Sequence, residues 1–208
     1  MDRYIKNIDS IFTLDLQELL LSKKIAVIGC GGQGGYILEF LTRLGVHSIY
    51  FWDGDNFNLT NINRQYGCLE NTIGLNKAQV MKNKLTEINS SINLIEHNWY
   101  FGEKNEDIIE ALSCDMLILA ADNSYNVGQT REMIKLIIQS GVPCIDEWIR
   151  GLGGEISIIT NKNLELFDTI TTIWEEQDNI PEEERTAFLS QTAFRCAAIA
   201  AETINQLV

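Results

Sequence analysis

Hydrophobic and polar positions follow two recurring patterns along the chain. Short apolar runs that stop at glycine are typical of buried parallel strands, and Ile25–Ile28 before Gly29 is such a run. Apolar residues three and four positions apart predict a helix over 36–44, which Gly45 ends. The same patterns predict further strands at 48–52, 92–96, 116–120, 142–145 and 155–160, and further helices at 75–88, 105–112, 129–140 and 192–207.

The order of these elements predicts an α/β fold. Strands that alternate with helices form a mostly parallel sheet with helices on both faces. Alternation in 155–160 predicts an antiparallel addition at the C-terminal side, and Pro143 indicates an edge strand or an early strand position. We expect a single domain over 1–208, with a helical N-terminal segment at 1–23 and a C-terminal helix at 191–208.

An acidic stretch interrupts this pattern. Six of the residues between Trp174 and Arg185 are Glu or Asp, and they surround Pro181. Because runs of like charge are usually solvated, we predict an acidic crossover-like loop over 161–190. A partner-binding segment is the alternative interpretation of the same residues.

Composition excludes several classes of protein. The chain has 208 residues, 45% of them hydrophobic and 22% charged, as in ordinary globular domains. The formal net charge of −13 disfavours nucleic acid as a partner, because contacts to phosphate need clustered Lys and Arg. Apolar runs are shorter than the ~18 residues of a membrane span, and the N-terminus lacks a secretory pattern. We therefore expect a cytoplasmic protein that does not bind membranes.

The five cysteines are widely spaced and form no C-x-x-C pair. This spacing supports neither a zinc site nor a thioredoxin-like motif, so we expect no zinc. Buried, reduced thiols are the interpretation that we adopt for Cys30, Cys68, Cys114, Cys144 and Cys196.

A glycine-rich loop connects the first strand to the helix at 36–44. Its glycines, Gly29, Gly31, Gly32 and Gly34, fit the pattern G-x-G-x-x-G, which lets phosphate approach backbone N–H groups at a helix N-terminus. Asp53 ends the second strand, where a carboxylate can accept hydrogen bonds from ribose. The pattern predicts an adenosine nucleotide, although it does not separate NAD from ATP. A glycine-rich turn that only packs helix on strand is the alternative.

Charged residues beyond the second and fourth strands favour ATP. Attack at phosphorus spreads charge over phosphoryl oxygens, which Arg64 and Lys77 could stabilise. Asp122, at the end of the fourth strand, could hold Mg²⁺. Each residue also has a simpler interpretation: Arg64 and Lys77 as surface charges, Asp122 as a helix N-cap, and Asp55 as the partner of a nearby base.

These motifs together resemble a known family. They are Gly29-x-Gly31-Gly32-x-Gly34, Asp53-x-Asp55, Asn61-x-x-Arg64-Gln65, Gly74-x-x-Lys77 and Asp122-Asn123. The set is similar to the ThiF/MoeB/HesA family, the adenylation domain shared with ubiquitin-activating enzymes, and the similarity runs from Lys24 to Thr160. The resemblance implies a Rossmann-like, doubly wound sheet.

The resemblance also implies a role for each matching residue. Asp53 would hold the ribose, Arg64 and Lys77 would contact the triphosphate, and Asp122 would bind Mg²⁺. Arg64, Lys77 and Asp122 form the implied catalytic set. The implied ATP-binding set is Gly29, Gly31, Gly32, Gly34, Asp53, Asp55, Asn61, Gln65 and Lys77.

By the same resemblance, ATP adenylates the C-terminal glycine of a small ubiquitin-like sulfur carrier and pyrophosphate is released. Thiamine or a related sulfur-transfer biosynthesis is the implied setting. A C-terminal carboxylate is already ionised near neutral pH, so the reaction needs no general base. The resemblance implies a homodimer as well, in which Lys6 stands where many members lend an arginine to the neighbouring ATP site.

The chain departs from the family pattern in its cysteines. Many members bind zinc through two C-x-x-C pairs. This chain has no such pair and in this respect resembles the shorter, zinc-free branch of the family. No cysteine lies between Cys144 and Cys196, where many members carry one for a thioester or persulfide. The chain is therefore predicted to stop at the acyl-adenylate.

Three other functions remain open at this point. Adenylation could act on a peptide C-terminus or a modified tRNA nucleoside. The glycine loop could instead serve an NAD(P)-dependent oxidoreductase or a redox-sensing regulator. The chain could also be a non-catalytic interaction subunit descended from the family.

Overall fold

Strands and helices alternate in the computed structural model, which describes residues 2–10, 13–121, 129–150 and 153–178. The strands are β1 (Lys24–Ile28), β2 (Ser48–Trp52), β3 (Asn93–His97), β4 (Met116–Leu119), β5 (Cys144–Arg150) and β6 (Gly153–Ile159). The α-helices are α1 (Ile5–Ser10), α2 (Leu14–Leu20), α3 (Gly34–Leu44), α4 (Lys77–Ile88), α5 (Asn105–Leu112), α6 (Gln129–Gln139) and α7 (Glu165–Asp178). Among the described residues, no helix combines the length and apolarity needed to cross a membrane.

The strands form one sheet in the order β3-β2-β1-β4-β5-β6. The first five strands pair in parallel, and β6 is antiparallel to β5. This arrangement confirms the predicted Rossmann-like, mostly parallel sheet with an antiparallel addition at the C-terminal side. Because the strand order reverses between β1 and β4, the carboxyl end of β1 is the place where such sheets bind ligands.

Apolar side chains cover both faces of the sheet. Helices α3 and α4 bury Ile37, Leu41 and Met81 against one face. Helices α5, α6 and α7 bury a second cluster against the other face, including Ile134 and Phe167. With both faces covered, the parallel strands consist of nearly continuous apolar residues, as the sequence pattern indicates.

The N-terminal segment packs on the ends of two helices that cover the sheet. Gln17 is buried and donates from Nε2 to the carbonyl oxygen of Leu44 at 2.8 Å. Asn89 donates from Nδ2 to the Tyr4 hydroxyl at 2.9 Å. The Tyr4 ring fills the space beside Gly45, which has a φ of 89°. These contacts anchor a segment that contributes no strand.

The acidic region is partly helical, so the prediction of a loop over 161–190 is wrong for residues 165–178. Phe167 and Ile170 are spaced for one helix face and are buried in the core. Asp168 accepts hydrogen bonds from Lys135 of α6 at 2.7 and 2.8 Å. The apolar spacing outweighs the negative charge of the segment, because burial of one face stabilises a helix whatever its exposed side carries. The predicted helix at 191–208 lies outside the described residues.

Two element boundaries also differ from the predictions. Helix α4 begins at Lys77 and not at Leu75, because the Asn76 side chain accepts the Gln79 N–H at 3.0 Å and caps the helix there. Strand β5 extends far beyond the predicted 142–145, because it pairs with β6 along its whole length. Pro143 precedes β5, whose neighbours are β4 and β6, so the proline marks an early position and not an edge.

Two glycines let α3 start directly against the sheet. Gly29 has a φ of 99°, and a Cβ there would lie 2.7 Å from the carbonyl oxygen of Ala120. A Cβ on Gly34 would overlap the carbonyl oxygen of Gly29. A Cβ on Gly32, by contrast, would be 3.8 Å from its nearest neighbour, an ordinary contact. The fold therefore requires glycine at 29 and 34 but not at 32.

Gly34→Ala is expected to lower the free energy of unfolding by roughly 1–3 kcal/mol, because the added methyl group must displace backbone. Gly32→Ala is the matched control and is expected to leave it within about 0.5 kcal/mol. Urea denaturation of both variants measures the difference. Equal destabilisation by the two substitutions would contradict this account of the loop.

Strand β5 carries a buried acidic side chain. Glu147 is only 1% exposed, and among the described residues neither of its carboxylate oxygens has a hydrogen-bond partner. Burial, reinforced by the charge of Asp146, raises the pKa of Glu147 well above its ordinary value. An ionised carboxylate is costly in such surroundings, so burial favours the neutral form of Glu147.

Glu147→Gln should stabilise the protein by about 1–3 kcal/mol near neutral pH, because an amide needs no protonation to be buried. Since the folded-state pKa is raised, the wild-type contribution is fully present below the unfolded pKa of about 4.3 and is lost as pH rises toward the folded pKa. The stability gap between variant and wild type should thus widen above about pH 4.3. Thermal unfolding across pH, with Glu70→Gln as an exposed control, tests this; a gap that stays constant with pH would refute it.

Candidate nucleotide-binding site

The glycine loop lies against the segment that follows β2. A Cβ on Gly31 would be 3.5 Å from Nε2 of Gln65, and one on Gly32 would be 3.8 Å from Cγ of Arg64. The packing of this chain therefore leaves room for a methyl group at both positions. Glycine at 31 and 32 is instead what a ligand that approaches the backbone closely would require.

Asp53 ties the loop to the end of β2. Its Oδ2 accepts the Cys30 N–H at 2.8 Å, and its Oδ1 accepts the Asp55 N–H at 2.9 Å. Burial raises the pKa of Asp53 above its ordinary value, despite the nearby charge of Lys77 and the two backbone hydrogen bonds. Asp53, predicted to hold a ribose, thus has both oxygens engaged within the protein.

Asp55 is the carboxylate that faces outward at this turn, with 49% of its side chain exposed. Its Oδ2 accepts from Nζ of Lys77 at 2.8 Å, and its Oδ1 accepts from the Tyr100 hydroxyl. Lys77, the first residue of α4, is buried, and its backbone N–H donates to the Asp55 carbonyl at 2.9 Å. The structure therefore brings a carboxylate, an ammonium group and a phenol together beside the glycine loop.

The segment from Asn61 to Gln65 forms a compact turn. Asn61 is buried, and its Oδ1 accepts the Asn58 N–H at 3.1 Å, which gives it a capping role within the turn. Arg64 is half-buried and donates from Nη1 to Thr60 and Asn63 at 2.9 and 3.1 Å. Both contacts hold the aliphatic part of the Arg64 side chain close to Gly32.

Two glutamines in the site are left with unsatisfied polar atoms. Within the described part of the chain, Nε2 of Gln33 and Oε1 of Gln65 are buried and have no hydrogen-bond partner. Gln33 precedes α3 directly and makes no side-chain capping bond. Buried polar groups are normally hydrogen-bonded, so these atoms mark where a polar ligand would complete the site. A donor and an acceptor next to a helix N-terminus fit the phosphates and hydroxyls of a nucleotide.

The predicted Mg²⁺ ligand, Asp122, lies outside the described residues, and its role stays a prediction. Within the described part of the chain, no group of three or more His, Cys, Asp or Glu side chains could hold a metal ion.

Four of the five cysteines are free and buried, as predicted. Burial raises the pKa of the Cys30, Cys68 and Cys144 thiols, and that of Cys114 to about 12. These thiols are therefore poor nucleophiles near neutral pH. Cys196 lies outside the described residues.

Sequence reasoning missed Tyr100 and the residue that fixes its loop, Asp107. Asp107 is fully buried, and its two oxygens together accept four hydrogen bonds. The available signal was an aromatic pair, Trp99-Tyr100, shortly after the strand predicted at 92–96, where ligand-contacting residues gather in such sheets.

Three curated relatives share sequence with the chain. The tRNA threonylcarbamoyladenosine dehydratase of Bacillus subtilis is 32% identical over 119 residues, 57% of this chain and 47% of the relative. The sulfur carrier protein ThiS adenylyltransferase of Escherichia coli is 29% identical over 148 residues, 71% of this chain and 57% of the relative. The SUMO-activating enzyme subunit 2 of Dictyostelium discoideum is 28% identical over 145 residues, 70% of this chain and 22% of the relative. The chain thus spans 22% to 57% of the length of these relatives.

Solved structures share the fold at lower identity. E. coli MccB with ATP superimposes with a TM-score of 0.78 and 21% identity, covering 99% of this chain and 63% of that chain. The E. coli tRNA N6-threonylcarbamoyladenosine dehydratase TcdA gives a TM-score of 0.75 and 18% identity, covering 99% and 93%. The family model for ThiF matches residues 4–208. With nearly the whole chain matched, the protein belongs to the ThiF family.

Proposed function

We propose that this chain is an ATP-dependent adenylyltransferase that activates the C-terminal glycine of a small ubiquitin-like, ThiS-like sulfur carrier. The observation that carries the proposal is the room left at Gly31 and Gly32, facing Arg64 and Gln65. Relatives named for adenylyl transfer, including the E. coli ThiS adenylyltransferase, support it.

Different residues of the site would contact different parts of the nucleotide. Backbone N–H groups of the glycine loop, at the start of α3, donate hydrogen bonds to phosphate oxygens. Lys77 has three N–H donors, and the bond to Asp55 uses one, so it can reach phosphate without losing its partner. Asp53, at the end of β2, is the proposed ribose ligand, and Asp55 holds Lys77 beside it.

The proposed reaction is a displacement at the α-phosphorus. An oxygen of the acceptor carboxylate forms the new P–O bond, and the bond to the departing pyrophosphate breaks. The carboxylate is ionised near neutral pH, so the protein need only align the groups and offset charge. Arg64 and Lys77 supply that positive charge, which stabilises the transition state more than the ground state.

Several finer features belong to the same proposal. We propose that Asp122 binds Mg²⁺ beside the phosphates, as a carboxylate at the end of a strand can. We also propose a cytoplasmic homodimer in which Lys6 reaches the neighbouring site. Lys6 is exposed on α1, a position compatible with such a role. Thiamine or related sulfur-transfer biosynthesis is the proposed setting.

A modified tRNA nucleoside is the second candidate acceptor. The similarity to tRNA threonylcarbamoyladenosine dehydratases of three bacteria supports it. The net charge of −13 favours the protein carrier, because an acidic surface repels the RNA backbone.

Arg64→Ala is expected to lower ATP–pyrophosphate exchange about 10²- to 10³-fold, because one charge-stabilising donor is lost from the transition state. Arg43→Ala is the matched control: Arg43 pairs with Glu39 on the exposed side of α3 and should be replaceable within about twofold. The measurement is radiolabelled pyrophosphate exchange with a carrier that ends in Gly-Gly. Undiminished exchange in Arg64→Ala would refute the proposed site.

The acceptor can be identified by the same assay. Exchange should rise when a ThiS-like carrier with an intact Gly-Gly terminus is added, and should not rise with a carrier that lacks the last glycine. A tRNA that bears a carboxylate-modified adenosine is the competing acceptor. Stimulation by that tRNA and not by the carrier would replace the first candidate with the second.

A further inference from the structure

Gln33 is a buried polar residue to which the proposed chemistry gives no role. It stands in the glycine loop, between Gly32 and Gly34, and directly precedes α3. Only 6% of the residue is exposed, and among the described residues its Nε2 has no hydrogen-bond partner. A side chain at this position can cap the helix, but Gln33 makes no such bond. Both N–H donors of its amide are therefore available to a ligand.

The segment after β2 runs along the part of the loop that contains Gln33. A Cβ on Gly32 would be 3.8 Å from Cγ of Arg64. A Cβ on Gly35 would be 3.3 Å from Cβ of Tyr66. Gln33 lies between these two contacts in sequence, so it belongs to the stretch of loop that faces the Arg64 segment.

The proposed reaction has one reactant that no residue yet contacts. The phosphates have the backbone N–H groups of the loop, Arg64 and Lys77, and the ribose has Asp53. The acceptor carboxylate has no partner, although its attack on the α-phosphorus requires alignment. A phosphate oxygen could use the Gln33 donor, but the phosphates are already supplied. A buried donor at the start of α3, where the helix dipole favours negative charge, suits the carboxylate instead.

A neutral amide also suits the acceptor better than a cation would. One carboxylate oxygen attacks phosphorus, and the other loses negative charge as it becomes the carbonyl oxygen of the mixed anhydride. A cation at this second oxygen would stabilise the ionised acceptor more than the transition state, and would slow the step. An amide N–H can donate to the oxygen before and after the change, because a carbonyl oxygen also accepts hydrogen bonds.

We propose that Gln33 binds the acceptor, with Nε2 donating a hydrogen bond to the carboxylate oxygen that does not attack phosphorus. This inference rests on the proposed function and deepens it, because it assigns a residue to the second substrate. A buried donor without a partner is costly, so binding of this oxygen removes a penalty that the unliganded protein carries. The terminal torsion of a glutamine side chain is broad, which lets the amide turn toward the carboxylate.

The experiment measures dissociation constants of the full chain by calorimetry, first for ATP and then for two ThiS-like carriers with α,β-methylene-ATP bound. One carrier ends in Gly-Gly, and the other ends in Gly-methylamide, which keeps the last peptide bond and lacks the carboxylate. Gln33→Leu should bind the Gly-Gly carrier about tenfold more weakly, because a hydrogen bond to a charged group is lost. Its affinities for ATP and for the methylamide carrier should stay within about twofold of wild type.

Gln139→Leu is the matched control, because it makes the same substitution at the exposed end of α6. It should leave all three affinities within about twofold of wild type. Unchanged ATP binding by Gln33→Leu also shows that the variant has folded with its glycine loop intact.

Each result decides the proposal. Equal weakening of both carriers would make Gln33 merely structural, and weakened ATP binding would assign its donor to phosphate; either result overturns the acceptor role. Unchanged affinity of Gln33→Leu for the Gly-Gly carrier overturns it as well. A wild-type chain that fails to bind ATP or the Gly-Gly carrier would instead overturn the proposed function, and that failure is visible before any variant is made.

Discussion

The arrangement of the site depends on two hydrogen bonds that the buried carboxylate of Asp53 accepts. The carboxylate accepts one backbone N–H from the loop after β1 and one from the turn after β2. A buried carboxylate is expensive unless hydrogen-bonded, so both loops must stay where their N–H groups point at it. Two segments that are 23 residues apart in sequence are thus held in a fixed position relative to each other.

The other elements of the site are positioned relative to these two loops. Asn76 donates to the carbonyl oxygens of Asp53 and Asp55, which fixes the start of α4 beside the turn. These hydrogen bonds place Lys77 within hydrogen-bonding distance of Asp55. The loop after β3 reaches the same carboxylate from the other side through Tyr100. The carboxyl ends of three neighbouring strands therefore contribute to a single group of side chains, and the parallel sheet sets their spacing.

The sequence carried enough information for the sheet and for the glycine loop, because both depend on local requirements. A strand buried on two faces must be apolar throughout, and a loop with φ of 99° at Gly29 favours glycine. The difference in burial between Asp53 and Asp55 could not be predicted from the sequence. The Asp53 N–H donates to the His97 carbonyl and so continues the ladder with β3, which turns the carboxylate of Asp53 inward and leaves Asp55 outside.

Other features arise only from contacts between distant elements. Tyr100 reaches the site because β3 lies beside β2, a neighbourhood that no local pattern contains. Helix α7 was not predicted, because its sequence is rich in acidic residues and its buried face involves only a few residues such as Phe167 and Ile170. In both cases the missing information was tertiary, and local composition pointed elsewhere.

The unequal demands on the four glycines have a consequence for how such a sequence changes over time. Gly29 and Gly34 are enforced by backbone overlap, whereas Gly31 and Gly32 have space for a side chain. A lineage that kept the fold but gave up its ligand would retain the first pair and drift at the second. The four positions therefore carry two separate constraints within one short loop, one from folding and one from the proposed ligand.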